Sequence, residues 1–402
     1  MRLGHSSSGY ANIKNDEHAT TWALHSAMDV LVFAPMTPDR VGGVEAVFAS
    51  IVKGLRARGH AVTALCPGPR LKTPPGDAVW EVPLQPIRTR NRIPMFGPSI
   101  KWARGLLDLA RVMRRRRPGV VQVHYPVQSS LPFLLLRSVF RYRLVVSVHG
   151  SDVMGTNEGL EGSIVTAMLT RADLVTCVSE ALARRVAEIA PQARVRVVEN
   201  GVDLEFWSDG ASSQMSTHPP PGNRIVQVGR LARVKGQDVL IRALPLLRRQ
   251  LPDTTVEFVG GGGDRGALER LADEVGVGSA VTFAGSLPPA EVRARLASAD
   301  VAVLPSRSEG MPLSLVESMA AGVPMVASAV GGIPDVVGDP PAAELVPPED
   351  PEALSRALFS ILSHPDRADD LRARGRIRAA TFSLERSLDT YAELFQRLNN
   401  EN

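Results

Sequence analysis

The chain has 402 residues, 44% of them hydrophobic and 22% charged, with a formal net charge of +4. It is too apolar for a disordered protein and too long for one ordinary domain, so two domains with separate cores are expected. No apolar run reaches the ~18 residues of a membrane-spanning helix, since LPFLLL at 131–136 stops at Arg137.

Residues 1–28 are rich in Ser, His, Asn and Gly and lack the apolar core of a signal peptide; a loose tail is expected ahead of a fold that starts at Asp29. From there short apolar runs alternate with amphipathic stretches. DVLVFAP, AVTALCP, VVQVHYP, RLVVSVHG and ADLVTCVS read as buried parallel strands, with helices near 44–58, 99–117, 128–140, 159–171 and 180–190. Continuous Val and Leu runs separated by helices call for a sheet covered on both faces, a doubly wound α/β unit. Cys66 and Cys177 lie in such strand patterns and are expected as small buried side chains, not as a disulfide or metal pair.

The composition then turns polar and Pro-rich through SDGASSQMSTHPPPGN. Residues 206–223 are therefore expected to form a linker or surface loop between a first domain at 29–205 and a second at 224–382. In the second, RIVQVGR, TTVEFVGG, AVTFAGS, DVAVLPS and VPMVASA repeat the strand pattern, with helices near 236–250, 264–275, 289–297 and 312–321. Helical periodicity continues at 350–363, 366–380 and 384–398. Charge is divided unevenly: residues 29–200 hold 24 basic against 13 acidic side chains, and 201–402 hold 20 against 27. The positive surplus of the first half suits an anionic partner or surface.

Open parallel sheets bind ligands outside the carboxyl ends of their strands, and chemistry-bearing residues gather at those positions. Gly42 and Gly43 precede the first helix, where backbone N–H groups can approach an anion. His124 ends one strand; His149 ends another and leads into Gly150, Ser151 and Asp152. Arg230 and Lys235, in GRLARVKG, put a guanidinium and an ammonium beside a helix start, a pairing suited to a diphosphate. Gly261, Gly263 and Gly266 formally spell G-x-G-x-x-G, but the next strand lacks the acid that would hold a ribose, so a cleft-lining loop is expected instead of a dinucleotide site. Gly331 and Gly332 follow a later strand.

PSRSEGMPLSLVESMAAG then carries Glu309 in a Ser- and Gly-rich turn and Glu317 inside the helix that Pro312 is expected to open. At helical geometry the two acids are separated by about 12 Å of rise and ~80° of rotation. Both can face one crevice at different depths.

Glu309 and Glu317 enclose seven residues, and this E-x7-E spacing, with GRL-x3-KG and HGSD ahead of it, resembles the retaining glycosyltransferases of family 4. The resemblance extends over nearly all of Asp29 to Phe382 and implies a GT-B fold, two Rossmann-like domains facing across a cleft, with the segment 383–402 crossing back onto the first domain. It implies transfer of a sugar from a nucleotide diphosphate sugar to an acceptor hydroxyl with retention. Glu309, Arg230, Lys235 and His149 would serve the reaction: Glu309 holding sugar hydroxyls, the two cations quieting the departing diphosphate, and His149 meeting a sugar hydroxyl or presenting its carbonyl to the developing charge. Gly42, Gly43, Gly310, Met311, Pro312 and Leu313 would surround the donor, Glu317 would accept from ribose hydroxyls, and Gly285, Ser286 and Leu287 would frame the base. Asp152, as a general base, and His124 are candidates for the acceptor side.

No resident cofactor or metal is implied, since two cations stand where a metal would act and no DxD motif or His cluster is present. A cytoplasmic enzyme is expected, taking a glycan, natural-product or lipid-linked acceptor. Arg88, Arg90, Arg92, Lys101, Arg104, Arg111 and the arginines at 114–117, interleaved with Ile93, Met95, Phe96 and Trp102, suit either an anionic membrane face or a solvated helix end. An epimerase on the same architecture and a non-catalytic sugar-nucleotide binder are the alternatives. No nucleic-acid module is recognisable.

Overall fold

A computed structural model describes residues 27–36, 42–72, 79–84, 96–155, 159–212 and 222–401, apart from the side chains of 96–101 and 209–212. The first sheet holds β1 (Asp29–Phe33), β2 (Ala61–Pro67), β3 (Trp80–Val82), β4 (Val120–His124), β5 (Arg143–Val148), β6 (Leu174–Cys177) and β7 (Val195–Val197), in the order β3-β2-β1-β4-β5-β6-β7. All its pairings are parallel. The second holds β8 (Arg224–Val228), β9 (Thr255–Val259), β10 (Val281–Gly285), β11 (Val301–Leu304), β12 (Met325–Ser328) and β13 (Glu344–Val346), ordered β10-β9-β8-β11-β12-β13 and again parallel. This is a GT-B arrangement of two Rossmann-like sheets.

Helices of the first unit are α1 (Gly43–Ala57), α2 (Phe96–Arg116), α3 (Leu131–Phe140), α4 (Gly159–Arg171) and α5 (Glu180–Ile189). Next come α6 (Leu204–Ser212), α7 (Gln237–Arg248), α8 (Arg265–Glu274), α9 (Pro289–Ala297), α10 (Leu313–Ala320) and α11 (Ile333–Val337). The chain closes with α12 (Pro351–Ser363), α13 (Pro365–Ala379) and α14 (Leu384–Asn400).

Alternate residues of each strand enter different cores, as the period of a strand requires. From β1, Leu31 and Phe33 join a core with α2, α3 and α4, while Val30 and Val32 join one with α1 and α14. In the second sheet Val301 and Val303 face α7 and α12, and Ala302 and Leu304 face α9 and α10. One core runs unbroken from the first sheet into the second, through Leu182, Met311 and Leu315.

Several boundaries differ from expectation. Met28, expected in the tail, is buried in the first domain's core. The front of the expected linker is helical, because α6 delivers Trp207 to the shared core and stacks Phe206 under the Arg293 guanidinium 4.5 Å away; the rest of that stretch, 213–221, lies outside the described residues. The 128–140 helix divides into a 3-10 turn at Gln128–Ser130 and then α3. Pro312 caps α10 from outside rather than opening it, and the helix stops at Ala320, before Gly322 turns into the left-handed region at φ 71°.

Candidate active site

In both sheets the strand order reverses between two strands whose ends diverge, β1 and β4 in the first and β8 and β11 in the second. Crevices open outside carboxyl ends at such points. Glu309 lies beyond β11, Arg230 and Lys235 beyond β8, and His124 and His149 at the ends of β4 and β5.

Lys235 Nζ sits 2.6 Å from Glu309 Oε1, and the Ser306 hydroxyl donates to the same oxygen at 2.7 Å. Glu309 is 8% exposed and Ser306 fully buried. The loops that carry them are locked together. Arg307 gives one N–H to each Asp238 carboxylate oxygen at 2.8 Å and another to Glu349 at 2.8 Å, while its backbone N–H binds the Val234 carbonyl at 2.8 Å. Gln237 Nε2 holds the Arg230 carbonyl at 2.9 Å, and Gln227 Nε2 the Lys235 carbonyl at 2.8 Å. A side chain on Gly236, which turns through φ 67°, would overlap the Pro305 carbonyl. Neither Ser306 nor Arg307 stands out in the sequence except by lying inside the PSRSEG turn.

Behind Glu309, the Gly332 N–H donates to its carbonyl at 3.1 Å. A Cβ on Gly331 would strike that carbonyl oxygen, and one on Gly332 the carbonyl of Gly310. These glycines are present because backbone meets backbone. The same holds for the run after β9: a Cβ on Gly260 would overlap the Gly229 carbonyl, and one on Gly262 the Leu231 carbonyl. Tight packing against the Arg230 segment accounts for these two glycines.

The first domain supplies the facing wall. A Cβ on Gly43, the first residue of α1, would lie 4.0 Å from Leu313, the first of α10, so two helix starts, both positive dipole ends, converge. A Cβ on Gly310 would overlap the His149 carbonyl oxygen, so backbone meets backbone there, with the Leu182 side chain close by. His149 is 8% exposed, and burial pushes its imidazole down to about 4. Tyr125, which follows His124 and carries no motif of its own, sits with its ring 5.2 Å from that of His149 and with Ser151 beside its hydroxyl.

Two expectations for the acceptor side change. His124 is fully buried and hydrogen-bonded to His149, so it has no surface to offer an acceptor. Asp152 turns its carboxylate back on its own loop, accepting from His149 N at 3.1 Å and Gly150 N at 2.7 Å; burial raises it to about 6 against the pull of those N–H groups. It shapes the turn after β5.

Of the other expected donor residues, Met311 is buried, its Sδ accepting the Asn200 N–H at 3.0 Å. Gly42 caps α1, Gly285 ends β10 at φ 75° with its carbonyl bound to Gly260 N at 2.8 Å, Ser286 is exposed and Leu287 half-buried. Glu317, on α10, meets no hydrogen-bond donor through its side chain among the described residues, and burial pushes its carboxyl up to about 7. Cys66 and Cys177 are both buried, with no disulfide between them. No group of three metal-ligating side chains is found among the described residues.

Residues 41–206 match the family model described as Glycosyltransferase Family 4, and 210–378 the one described as Glycosyl transferases group 1. The chain belongs to the group 1 glycosyltransferases of family 4. This glycosyltransferase is 35% identical, over 60% of its length and 66% of the relative's, to a GDP-mannose-dependent alpha-(1-6)-phosphatidylinositol monomannoside mannosyltransferase of Mycolicibacterium smegmatis. It is 28% identical, over 88% of both chains, to a D-inositol 3-phosphate glycosyltransferase of Thermobifida fusca. Its fold follows that of sucrose-phosphate synthase from Thermosynechococcus elongatus, with a TM-score of 0.79 at 22% identity, covering 93% of this chain and 100% of that one.

Proposed function

We propose that this glycosyltransferase takes a nucleotide diphosphate sugar in the second domain and passes the sugar, with retention and without a metal, to a hydroxyl of an acceptor held by the first. The observation that carries the reading is the 2.6 Å Lys235–Glu309 contact at the mouth of the β8 and β11 strand ends, opposite His149. An ammonium there suits the departing diphosphate, with Arg230 on the same loop, and a carboxylate suits sugar hydroxyls. The unpartnered Glu317 carboxylate suits a pair of ribose hydroxyls. Two cations and two helix starts supply the positive charge that a metal would otherwise bring. No side chain in a nucleophile's position is needed if the departing phosphate takes the acceptor proton on the same face of the sugar.

GDP-mannose is the first donor to try, because the relative from Mycolicibacterium smegmatis is named for it. The acceptor is a hydroxyl of an inositol-bearing or lipid-linked glycan, in keeping with the names of both relatives. Among the described residues no helix is long and apolar enough to cross a membrane. A peripheral seat on the cytoplasmic face of a membrane is supported by the outer side of the first domain, where Leu107, Leu135, Val139 and Leu160 of α2, α3 and α4 are exposed. Arg104, Arg111 and the arginines at 114–117 are exposed beside them; residues 88–95 of the basic stretch lie outside the described residues.

A thermal-shift screen of GDP, UDP, ADP and TDP sugars, followed by NMR of the product, tests the function. A donor that raises the midpoint and an acceptor glycoside of unchanged anomeric configuration are expected. An epimerised donor, or no product with any donor, would overturn it. Flotation with anionic vesicles at low salt tests the membrane seat, and absence from the vesicle layer would remove it.

A further inference from the structure

The floor beneath the cleft holds a polar pair to which sugar transfer as proposed gives only half a task. β4 and β5 are neighbours, with His124 paired to Ser147 in register, and the His124 and His149 side chains end up stacked, their rings 19° from parallel and 5.0 Å apart. His124 Nδ1 lies 2.8 Å from His149 Nε2. His124 is fully buried: Phe48 of α1 meets its ring edge-on at 5.9 Å, and its Nε2 finds no partner among the described residues. The Nδ1 of His149 is likewise buried and without a partner among the described residues. Apolar side chains would fill this floor at lower cost than two imidazoles with one hydrogen bond between them.

Burial holds both rings neutral, His124 well below its usual value and His149 at about 4. Two neutral imidazoles sharing one contact must divide their protons: if His124 donates from Nδ1, His149 carries its proton on Nδ1; if His149 donates from Nε2, its Nδ1 is bare. The tautomer of one ring is thus written by the other. On the far side, Tyr125 holds a left-handed backbone at φ 61°, an uncommon state for a bulky residue, and its ring closes on His149.

We propose that His124 is a positioning residue for sugar transfer: its Nδ1 contact fixes the tautomer and ring plane of His149, and with them the strand end that sets the His149 carbonyl against Gly310. The inference rests on the reading of His149 as a residue that meets the donor sugar. Nothing in it requires His124 to touch either substrate.

The test compares His124→Phe, which keeps a flat ring but loses the bond, with His124→Asn, whose amide reaches the former Nδ1 position. With the donor and acceptor found by the screen, His124→Phe is expected to lower kcat by ~10- to 100-fold while donor KM changes less than threefold, the scale of losses seen when an outer hydrogen-bond partner is removed. His124→Asn is expected to recover most of that loss. Ring 15N shifts of His149 are expected to show one neutral tautomer in the unmodified protein and a mixture in His124→Phe. Wild-type kcat in His124→Phe would overturn the proposal. If that variant does not fold, two tautomers of His149 in exchange in the unmodified protein would overturn it instead. His149→Ala with unchanged kcat would remove the underlying reading of His149, while the tautomer measurement would still report on the pair.

Discussion

The Lys235 ammonium and the Glu309 carboxylate, 74 positions apart in the sequence, neutralise each other at 2.6 Å. On the proposed reading a donor would draw Lys235 toward phosphate and leave Glu309 to hydroxyl groups. Each residue thereby holds the other in place until the ligand arrives, and neither charge is left buried without a partner.

Removing the ammonium strands that carboxylate. Lys235→Ala is expected to reduce kcat by about 100-fold or more with a smaller change in donor KM, because the lost charge acts most on the departing diphosphate. Lys235→Arg restores charge but not the compact fit, and is expected to recover only part of the rate. Steady-state kinetics at saturating acceptor reads the difference, and equal losses in kcat and affinity would make Lys235 a plain anchor.

Glu317 links stability to pH. Its carboxyl stands at about 7 in the folded chain against an ordinary 4.5, so between these values the folded state binds more protons than the unfolded. Stability therefore falls as pH rises from about 4.5 to 7 and stays reduced above. Glu317→Gln is expected to raise the melting midpoint of the ligand-free protein at pH 8, by at most ~3 kcal/mol of stability, and to make no difference at pH 4. The same variant is expected to bind the donor more weakly, so midpoints with and without nucleotide sugar at both pH values check both halves.

At Gly310 the backbones of the two domains meet, with the His149 carbonyl against it. Gly310→Ala is expected to push the His149 carbonyl away and abolish transfer, with helix and sheet content unchanged by circular dichroism and a larger radius of gyration by small-angle scattering. Gly263→Ala is the control, because a Cβ there meets nothing within 4 Å.

Tyr391 of α14 is buried in the first domain's core, with Thr176 and Ser147 beside its hydroxyl. Ser147 in turn accepts from Gln122 Nε2 at 2.8 Å and lies 2.8 Å from Thr176 Oγ1. Tyr391→Phe is expected to cost about 1 kcal/mol in denaturant unfolding, since the hydroxyls left behind still have one another. It leaves donor affinity unchanged.

Much of this arrangement was legible beforehand because Val and Leu runs such as VVQVH and RLVVSV admit little besides doubly covered parallel strands. β3, β7 and β13, three residues each, escaped because a strand so short carries no period. The site was legible where a motif is local, as with Glu309 and Glu317 or Arg230 and Lys235. It was not where two residues meet only through strand order: nothing in VHYP or VHG announces that His124 and His149 share a hydrogen bond, and nothing in HGSD shows that Asp152 turns to its own backbone. The glycines after β9 spell a cofactor motif only formally: Gly260 and Gly262 are small because the backbone of Gly229 and Leu231 lies against them.

α14 completes a layer that belongs to the earliest part of the chain: Leu388, Tyr391, Phe395 and Leu398 cover the same core as Val30, Val32, Val120 and Val145. During synthesis α1 can cover only part of that valine-rich side, and the rest waits for α14, which emerges long after the strands themselves. The first sheet is made early and its covering layer is completed only by α14, so the fold of the first domain closes after the second has been made.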